Sequence, residues 1–246
     1  MPALVHRADA RGIRTLTLDS PRNRNALSRD LMEQLHSELT GAAGSEDVRA
    51  VVLSHTGNTF CAGADLTDPT STPEALVRLL RTIVELPKPV IARVDGHARG
   101  GGLGLVGACD IAVGSVASRF AFGEVRLGVA PAVISLTLLP RLDPRAASRY
   151  YLTGEVFDVA EAHRIGLLSD VHAEVDTLLE GITDALRRCA PQALAEAKRL
   201  VIAEVLAAFD READSLVALS SRLFASDEAR EGMTAFLERR DPPWAR

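Results

Sequence analysis

Three short stretches of this chain hold residue types that could do chemistry together. The first is Phe60-Cys61-Ala62-Gly63-Ala64-Asp65-Leu66, a loop of small side chains that follows an apolar run. The second is Gly100-Gly101-Gly102-Leu103-Gly104, reached from the β-branched run Val90 to Val94. The third is Phe122-Gly123-Glu124, a lone carboxylate at the end of an apolar segment. Glycine costs conformational order wherever it is used, so such density marks backbone that bends sharply or approaches something closely. A glycine turn that opens a helix also presents unpaired N–H groups to negative charge. Two such loops could aim one N–H each at a single oxygen, which is what stabilising an oxyanion requires. A carboxyl among aliphatic neighbours has its pKa raised by desolvation, which suits a general acid/base near neutrality.

Simpler readings stand beside each of these. Either loop alone reads equally as a tight turn, and Glu124 as a surface residue paired with Arg126. Gly102-x-Gly104-x-x-Gly107 also spells a dinucleotide fingerprint, with Glu124 about 20 residues on, where the ribose-binding acid belongs. Against it, the preceding strand ends at Val94, well before the first fingerprint glycine, and the motif opens the third strand–helix unit rather than the first. The Cys61 to Ala64 loop would then have no task. His97 reads as a turn or tunnel-lining residue, and Cys61 as a buried thiol without a fixed histidine partner. No HxxxH, CxxC or EF-hand spacing occurs, so no metal is expected. There is no G-x-S-x-G hydrolase elbow.

The elements that must position these residues alternate. Leu4 to Arg7 and Ile13 to Leu18 predict a hairpin around Asp9-Ala10-Arg11-Gly12. Ser28 predicts a helix cap before Leu31, Met32, Leu35 and Leu39, with closure at Gly41, and Thr72-Pro73 a second cap before Leu76, Leu79, Leu80 and Ile83. Ala50 to Ser54, Val90 to Val94, Asp110 to Val113 and Arg119 to Phe122 read as strands. The result is an α/β layer with mostly parallel pairing. Asp143 and Asp158 start further helices, and Leu167 to Val171 reads as a last strand. Beyond about residue 174 everything reads as helix: Val175 to Cys189, Gln192 to Ala208, Arg211 to Ala225, and Glu228 to Arg239 behind an Asp227 cap.

The totals narrow the class. The chain has 246 residues, 47% hydrophobic and only 4% aromatic, so a sizeable core is built from aliphatic side chains rather than rings. That argues against base-stacking nucleic-acid modules. A formal net charge of −5 gives no global attraction to nucleic acid or anionic membrane, so an anionic ligand must be held by local charge. Three scattered cysteines make neither a disulfide framework nor a zinc site. Neither a signal peptide nor a membrane span is expected, which makes the cytoplasm the default location.

Taken in order, Asn25-Ala26-Leu27, Phe60 to Leu66, Lys88-Pro89-Val90-Ile91-Ala92, Asp95-Gly96 through Gly104, Cys109-Asp110-Ile111 and the Glu124 segment resemble the crotonase (enoyl-CoA hydratase/isomerase) superfamily. Tyr151-Leu152-Thr153-Gly154, Ala160 to Leu168 and Glu231 to Phe236 extend the resemblance from about residue 12 to 244. It implies a crotonase-like spiral of ββα units over residues 1–190 and a helical trimerisation region over 191–246, giving a homotrimer or hexamer. It implies acyl-CoA as substrate, with no cofactor beyond the CoA that the substrate carries. The backbone N–H groups of Ala64 and Gly101 would form the oxyanion hole, with Glu124 as general acid/base. Arg22, Arg24, Ala62, Asp65, Leu66 and Phe236 would line the CoA tunnel. Arg239 and Arg240 read either as contacts to the CoA phosphates, of a neighbouring subunit in one arrangement, or equally as solvated helix-end charges.

The sequence departs from the family pattern at one position. Typical hydratases of the family carry a second glutamate three residues after the middle glycine, where this chain has Gly104. Glu124 is left to work alone. The expected activity is hydration of an enoyl-CoA; the alternative is Δ3–Δ2-enoyl-CoA isomerisation with Glu124 as the only base. An acyl-CoA binder with little turnover is a third reading.

Overall fold

The computed structural model describes residues 2–245, and one unit recurs through its first half. β1 (Val5–Ala10) and β2 (Ile13–Leu18) pair antiparallel, turning on left-handed backbone at Arg11 and Gly12. α1 (Arg29–Ala43) follows, with the Ser28 hydroxyl accepting from Leu31 N–H and Leu31, Met32, Leu35 and Leu39 on its buried face. β3 (Ala50–His55), the short β4 (Thr59–Cys61) and α2 (Pro73–Glu85) repeat the pattern. So do β5 (Val90–Val94), β6 (His97–Arg99) and α3 (Gly101–Ala108), and then β7 (Ile111–Ser115) and β8 (Arg119–Ala121), which runs into a 3-10 turn at Glu124–Leu127. The first strand of each later unit joins one sheet and the second joins another, which is the expected ββα spiral.

The larger sheet has the order β1-β2-β3-β5-β7-β10, and all its pairings after the hairpin are parallel. Parallel strands are covered on both faces, and β3 is buried throughout its length, which explains its unbroken apolar run Ala50-Val51-Val52-Leu53. The smaller sheet has the order β4-β6-β8-β9. Of its three-residue strands, β8 was expected within Arg119 to Phe122, whereas β4 and β6 were invisible in sequence, where Thr59 to Cys61 and His97 to Arg99 read as loop. A period-2 pattern needs more residues than these strands possess.

The chain continues through α4 (Ser135–Leu138), α5 (Pro144–Thr153), β9 (Phe157–Asp158), α6 (Val159–Arg164) and β10 (Asp170–His172). The all-helical remainder is α7 (Val175–Arg187), α8 (Pro191–Val201), α9 (Ala203–Phe224) and α10 (Asp227–Glu238). Two expectations need correction. The helix break lies at Ile202, which tucks its side chain into the core, and not near Asp210-Arg211, where no glycine or proline interrupts a continuous α9. The cap of α10 is Ser226, whose hydroxyl accepts from Ala229 N–H, so Asp227 stands inside the first turn.

Beyond the side chains that α9 buries, two further contacts tie these helices to the rest of the fold. Lys198 on α8 reaches Asp110 Oδ2 at 2.8 Å and donates to the carbonyls of Ile83 and Lys88. Backbone of α10 lies directly on the 3-10 turn: a Cβ at Gly232 would stand 2.5 Å from the Leu127 carbonyl, and one at Gly128 would stand 2.6 Å from that of Glu228. The segment that begins with Glu124 is thus buttressed by the last helix. Among the described residues no helix is long and apolar enough to cross a membrane.

Candidate active site

The first loop is held in place by its neighbours. Ala62 N–H donates to the Arg24 carbonyl at 3.0 Å and Leu27 N–H to the Gly63 carbonyl at 2.7 Å, while Asp65 N–H reaches back to Leu27. Asn25 is fully buried and anchors this seam: its amide donates to the carbonyls of Thr56 and Thr59, and its Oδ1 accepts from Ser20 N–H. These bonds flank Ala64 and leave its own N–H out of the pairing. Gly63 has φ +95°, a left-handed conformation that turns Ala64 toward the glycine turn.

The second loop meets it there. Gly100 has φ +46° and ψ −122°, a region open only to glycine, and it starts α3. Gly101, the first helical residue, has no intrahelical acceptor for its N–H. A Cβ on Gly63 would lie 3.3 Å from Gly101 N, and a Cβ on Gly101 would lie 3.7 Å from Ala64 N. The two N–H groups therefore stand side by side across a gap kept open by glycine. The start of the fully buried α3 adds its positive end to the same place.

Glu124 completes the arrangement. A Cβ on Gly100 would stand 3.2 Å from Glu124 Oε1, so the carboxyl lies over the glycine turn. Its Oε2 is buried with no hydrogen-bond partner, and burial lifts the pKa from 4.5 to about 7, offset only in part by its own backbone N–H. The Arg126 pairing does not occur: Arg126 Nε donates to the Thr153 carbonyl at the end of α5. A half-protonated carboxyl near neutral pH, beside two convergent donors, can move a proton to or from carbon next to a polarised carbonyl.

Gly104 has a more specific setting than a missing side chain. A Cβ there would meet Ile134 Cγ2 at 2.6 Å and Ile134 Cβ at 3.2 Å. Glu124 Oε1 stands over Gly100 and Ile134 over Gly104, so hydrocarbon from the segment before α4 fills the place where a side chain at position 104 would begin.

The remaining expected positions divide. Arg22 and Arg24 are exposed on the loop that borders Ala62, and neither has an acidic partner among the described residues. Leu66 is half-buried beside them. Asp65 is engaged: its carboxylate accepts from Asn23 Nδ2 at 3.0 Å and from Thr67, which fixes the loop that bears the arginines. Phe236 lies on α10 with 56% of its surface exposed. Arg240 is committed to Glu231 and Glu238, whereas Arg239 closes α10 in a left-handed turn. Cys61 is buried, its thiol pushed up to about 12, which rules out a ready thiolate. Sequence reasoning missed Ile134, Ser135 and Tyr151. Tyr151 lies in the Tyr151-Leu152-Thr153-Gly154 motif of the resemblance, but nothing in its spacing marks it as a site residue.

A spiral of ββα units that brings two backbone donors and one buried carboxyl to the start of a buried helix is the crotonase architecture. The family model described as enoyl-CoA hydratase/isomerase matches residues 8–246. A 2,3-dehydroadipyl-CoA hydratase of Escherichia coli is 32% identical over 92% of this chain and 92% of its own. The mitochondrial enoyl-CoA hydratase domain-containing protein 3 of Rattus norvegicus is 32% identical, covering 99% of this chain and 85% of its own. The crystal structure of an enoyl-CoA hydratase from Mycobacterium avium superposes with a TM-score of 0.94 at 52% identity, covering 100% of both chains. The chain belongs to the enoyl-CoA hydratase/isomerase family.

Proposed function

We propose that this protein is an enoyl-CoA hydratase-like lyase, adding water across the double bond of an acyl-CoA thioester. The observation that carries the reading is the convergence of the Ala64 and Gly101 N–H groups beside the Glu124 carboxyl. The two donors receive the thioester oxygen and stabilise the enolate that forms when the β-carbon is attacked. Glu124 takes a proton from the attacking water and returns it to the α-carbon. Arg22 and Arg24, free of acidic partners among the described residues, hold the phosphates of CoA, while Ala62, Leu66 and the Asp65-braced loop line the tunnel and Phe236 flanks it. CoA travels with the substrate, and the reaction uses no further cofactor.

The relatives named above as hydratases support this assignment. The single carboxylate favours a second reading, Δ3–Δ2 isomerisation, in which one base carries one proton between carbons. Exposed Leu200, Val201 and Leu237 on the C-terminal helices support assembly into a homotrimer or hexamer through residues 191–246. Bacterial relatives support a cytoplasmic location.

The deciding experiment gives the purified protein crotonyl-CoA and a 3-enoyl-CoA, following enoyl-thioester absorbance. Loss of absorbance with crotonyl-CoA establishes hydration; gain of absorbance with the 3-enoyl substrate alone establishes isomerisation. No change with either, together with no binding of acetoacetyl-CoA, overturns the assignment.

A further inference from the structure

Addition of water needs a group that holds the nucleophile as well as one that takes its proton. Position 104 of α3 offers none, because it is a glycine covered by Ile134. Thr137 stands against Gly104 but is committed, donating to the Gly104 carbonyl at 3.1 Å. Tyr150 is committed, donating to Glu161 Oε1 at 2.9 Å. Tyr151 is not. Its ring packs on Phe122, two residues before Glu124, with centroids 4.7 Å apart. Its hydroxyl has Ser135 Oγ as its partner at 3.5 Å, the outer limit of a hydrogen bond. Ser135 spends its own hydrogen on the Pro131 carbonyl at 2.7 Å, so toward Tyr151 it presents a lone pair.

Tyr151 is therefore a largely buried phenol with a rigid ring, a weakly engaged O–H and a neighbour that can accept from it. Glu124 follows Phe122 by two residues, and its Oε2 is buried and, among the described residues, unpartnered. Burial and the charge of Glu124 both oppose ionisation of the phenol, which stays a neutral donor and acceptor at neutral pH.

We propose that Tyr151, backed by Ser135, is the second polar group of this site and holds the water that Glu124 deprotonates. The proposal rests on the hydration reading above. In the step itself, the water oxygen bonds to the β-carbon and the π-electrons move to the thioester oxygen. The water proton passes to Glu124 and from there to the α-carbon as the enolate collapses. The phenol keeps its own proton throughout and supplies position only. The hydroxyl thus comes from α5 and α4 because α3 cannot provide a side chain there.

The test separates water addition from proton transfer at carbon. Hydration of crotonyl-CoA is measured beside exchange of the α-protons of butyryl-CoA with solvent deuterium, which needs Glu124 and the oxyanion donors but no bound water. Tyr151→Phe is expected to lower kcat for hydration by about 10²-fold, the scale of a misplaced reactant, while KM and the exchange rate stay within about threefold. Ser135→Ala is expected to lower hydration about tenfold with exchange likewise retained. Equal hydration by Tyr151→Phe and the unaltered protein overturns the proposal and leaves the hydratase reading standing. A parallel fall of hydration and exchange also overturns it, because the tyrosine then serves the fold. If the unaltered protein exchanges protons yet hydrates nothing, the hydratase reading falls and takes this proposal with it.

Discussion

Replacing Glu124 by Gln should stabilise the protein more at alkaline than at acid pH, and the size of that difference follows from burial. A carboxyl whose pKa is raised from 4.5 to about 7 by folding favours the folded state while it is protonated. That advantage is complete below the unfolded value and is lost as pH rises through about 7. One pKa unit corresponds to about 1.4 kcal/mol, so ionised Glu124 costs the fold about 3 kcal/mol well above neutrality. Between pH 5 and 8.5 the linkage relation gives a change of about 2–3 kcal/mol, because at pH 5 part of the unfolded chain is already ionised. The glutamine variant has the same shape and no charge, so its stability lacks this component. Its amide leaves buried polar atoms unpaired, a cost of about 1–3 kcal/mol that does not vary with pH and cancels in the comparison. Denaturant unfolding of both proteins at the two pH values measures the difference. A stability gap that stays constant from pH 5 to 8.5 would refute the claim that Glu124 is held in a desolvated pocket. The same group sets the activity profile: kcat/KM should rise with pH through about 7 as the base ionises, and Glu124→Gln should lower turnover by at least about 10²-fold while acetoacetyl-CoA still binds.

Gly104→Ala should destabilise the protein by about 1–3 kcal/mol, since its Cβ meets Ile134 Cγ2 at 2.6 Å; adding Ile134→Ala should recover part of the loss in a double-mutant cycle followed by denaturant unfolding. Arg22→Ala with Arg24→Ala should raise KM for acyl-CoA with kcat little changed, and the effect should shrink at high salt, as expected when mobile surface cations hold the phosphates. Lys198→Met should cost about 3–5 kcal/mol because it leaves the Asp110 carboxylate buried without its partner, and thermal unfolding of the variant checks this.

The local order of this chain was legible because it is written in short-range physics. Ser28, Thr72, Asp143 and Asp158 announce their helices because each side chain satisfies a backbone N–H two or three residues on. The run Ala50 to Leu53 announces a covered parallel strand because no polar face survives in such a sheet. Even the glycine pair at the site could be read, since only glycine adopts the backbone found at Gly63 and Gly100. Family resemblance then supplied the roles of Ala64, Gly101 and Glu124.

Tertiary structure decided the rest, because the deciding contacts join residues far apart in the chain. Sequence placed Gly104 at the position of an absent carboxylate; folding shows that the space is occupied, by Ile134, and by hydrocarbon. Sequence offered Arg126 as a partner for Glu124; folding sends Arg126 to Thr153 and buries the carboxyl, and that burial is what raises its pKa. Short strands such as β4 and β6 carry no pattern of their own and exist only through their neighbours in the second sheet. Tyr151 is an ordinary helical residue in the sequence. Folding packs its ring on Phe122 and sets its hydroxyl 3.5 Å from Ser135 Oγ, contacts that no periodicity along α5 could have announced.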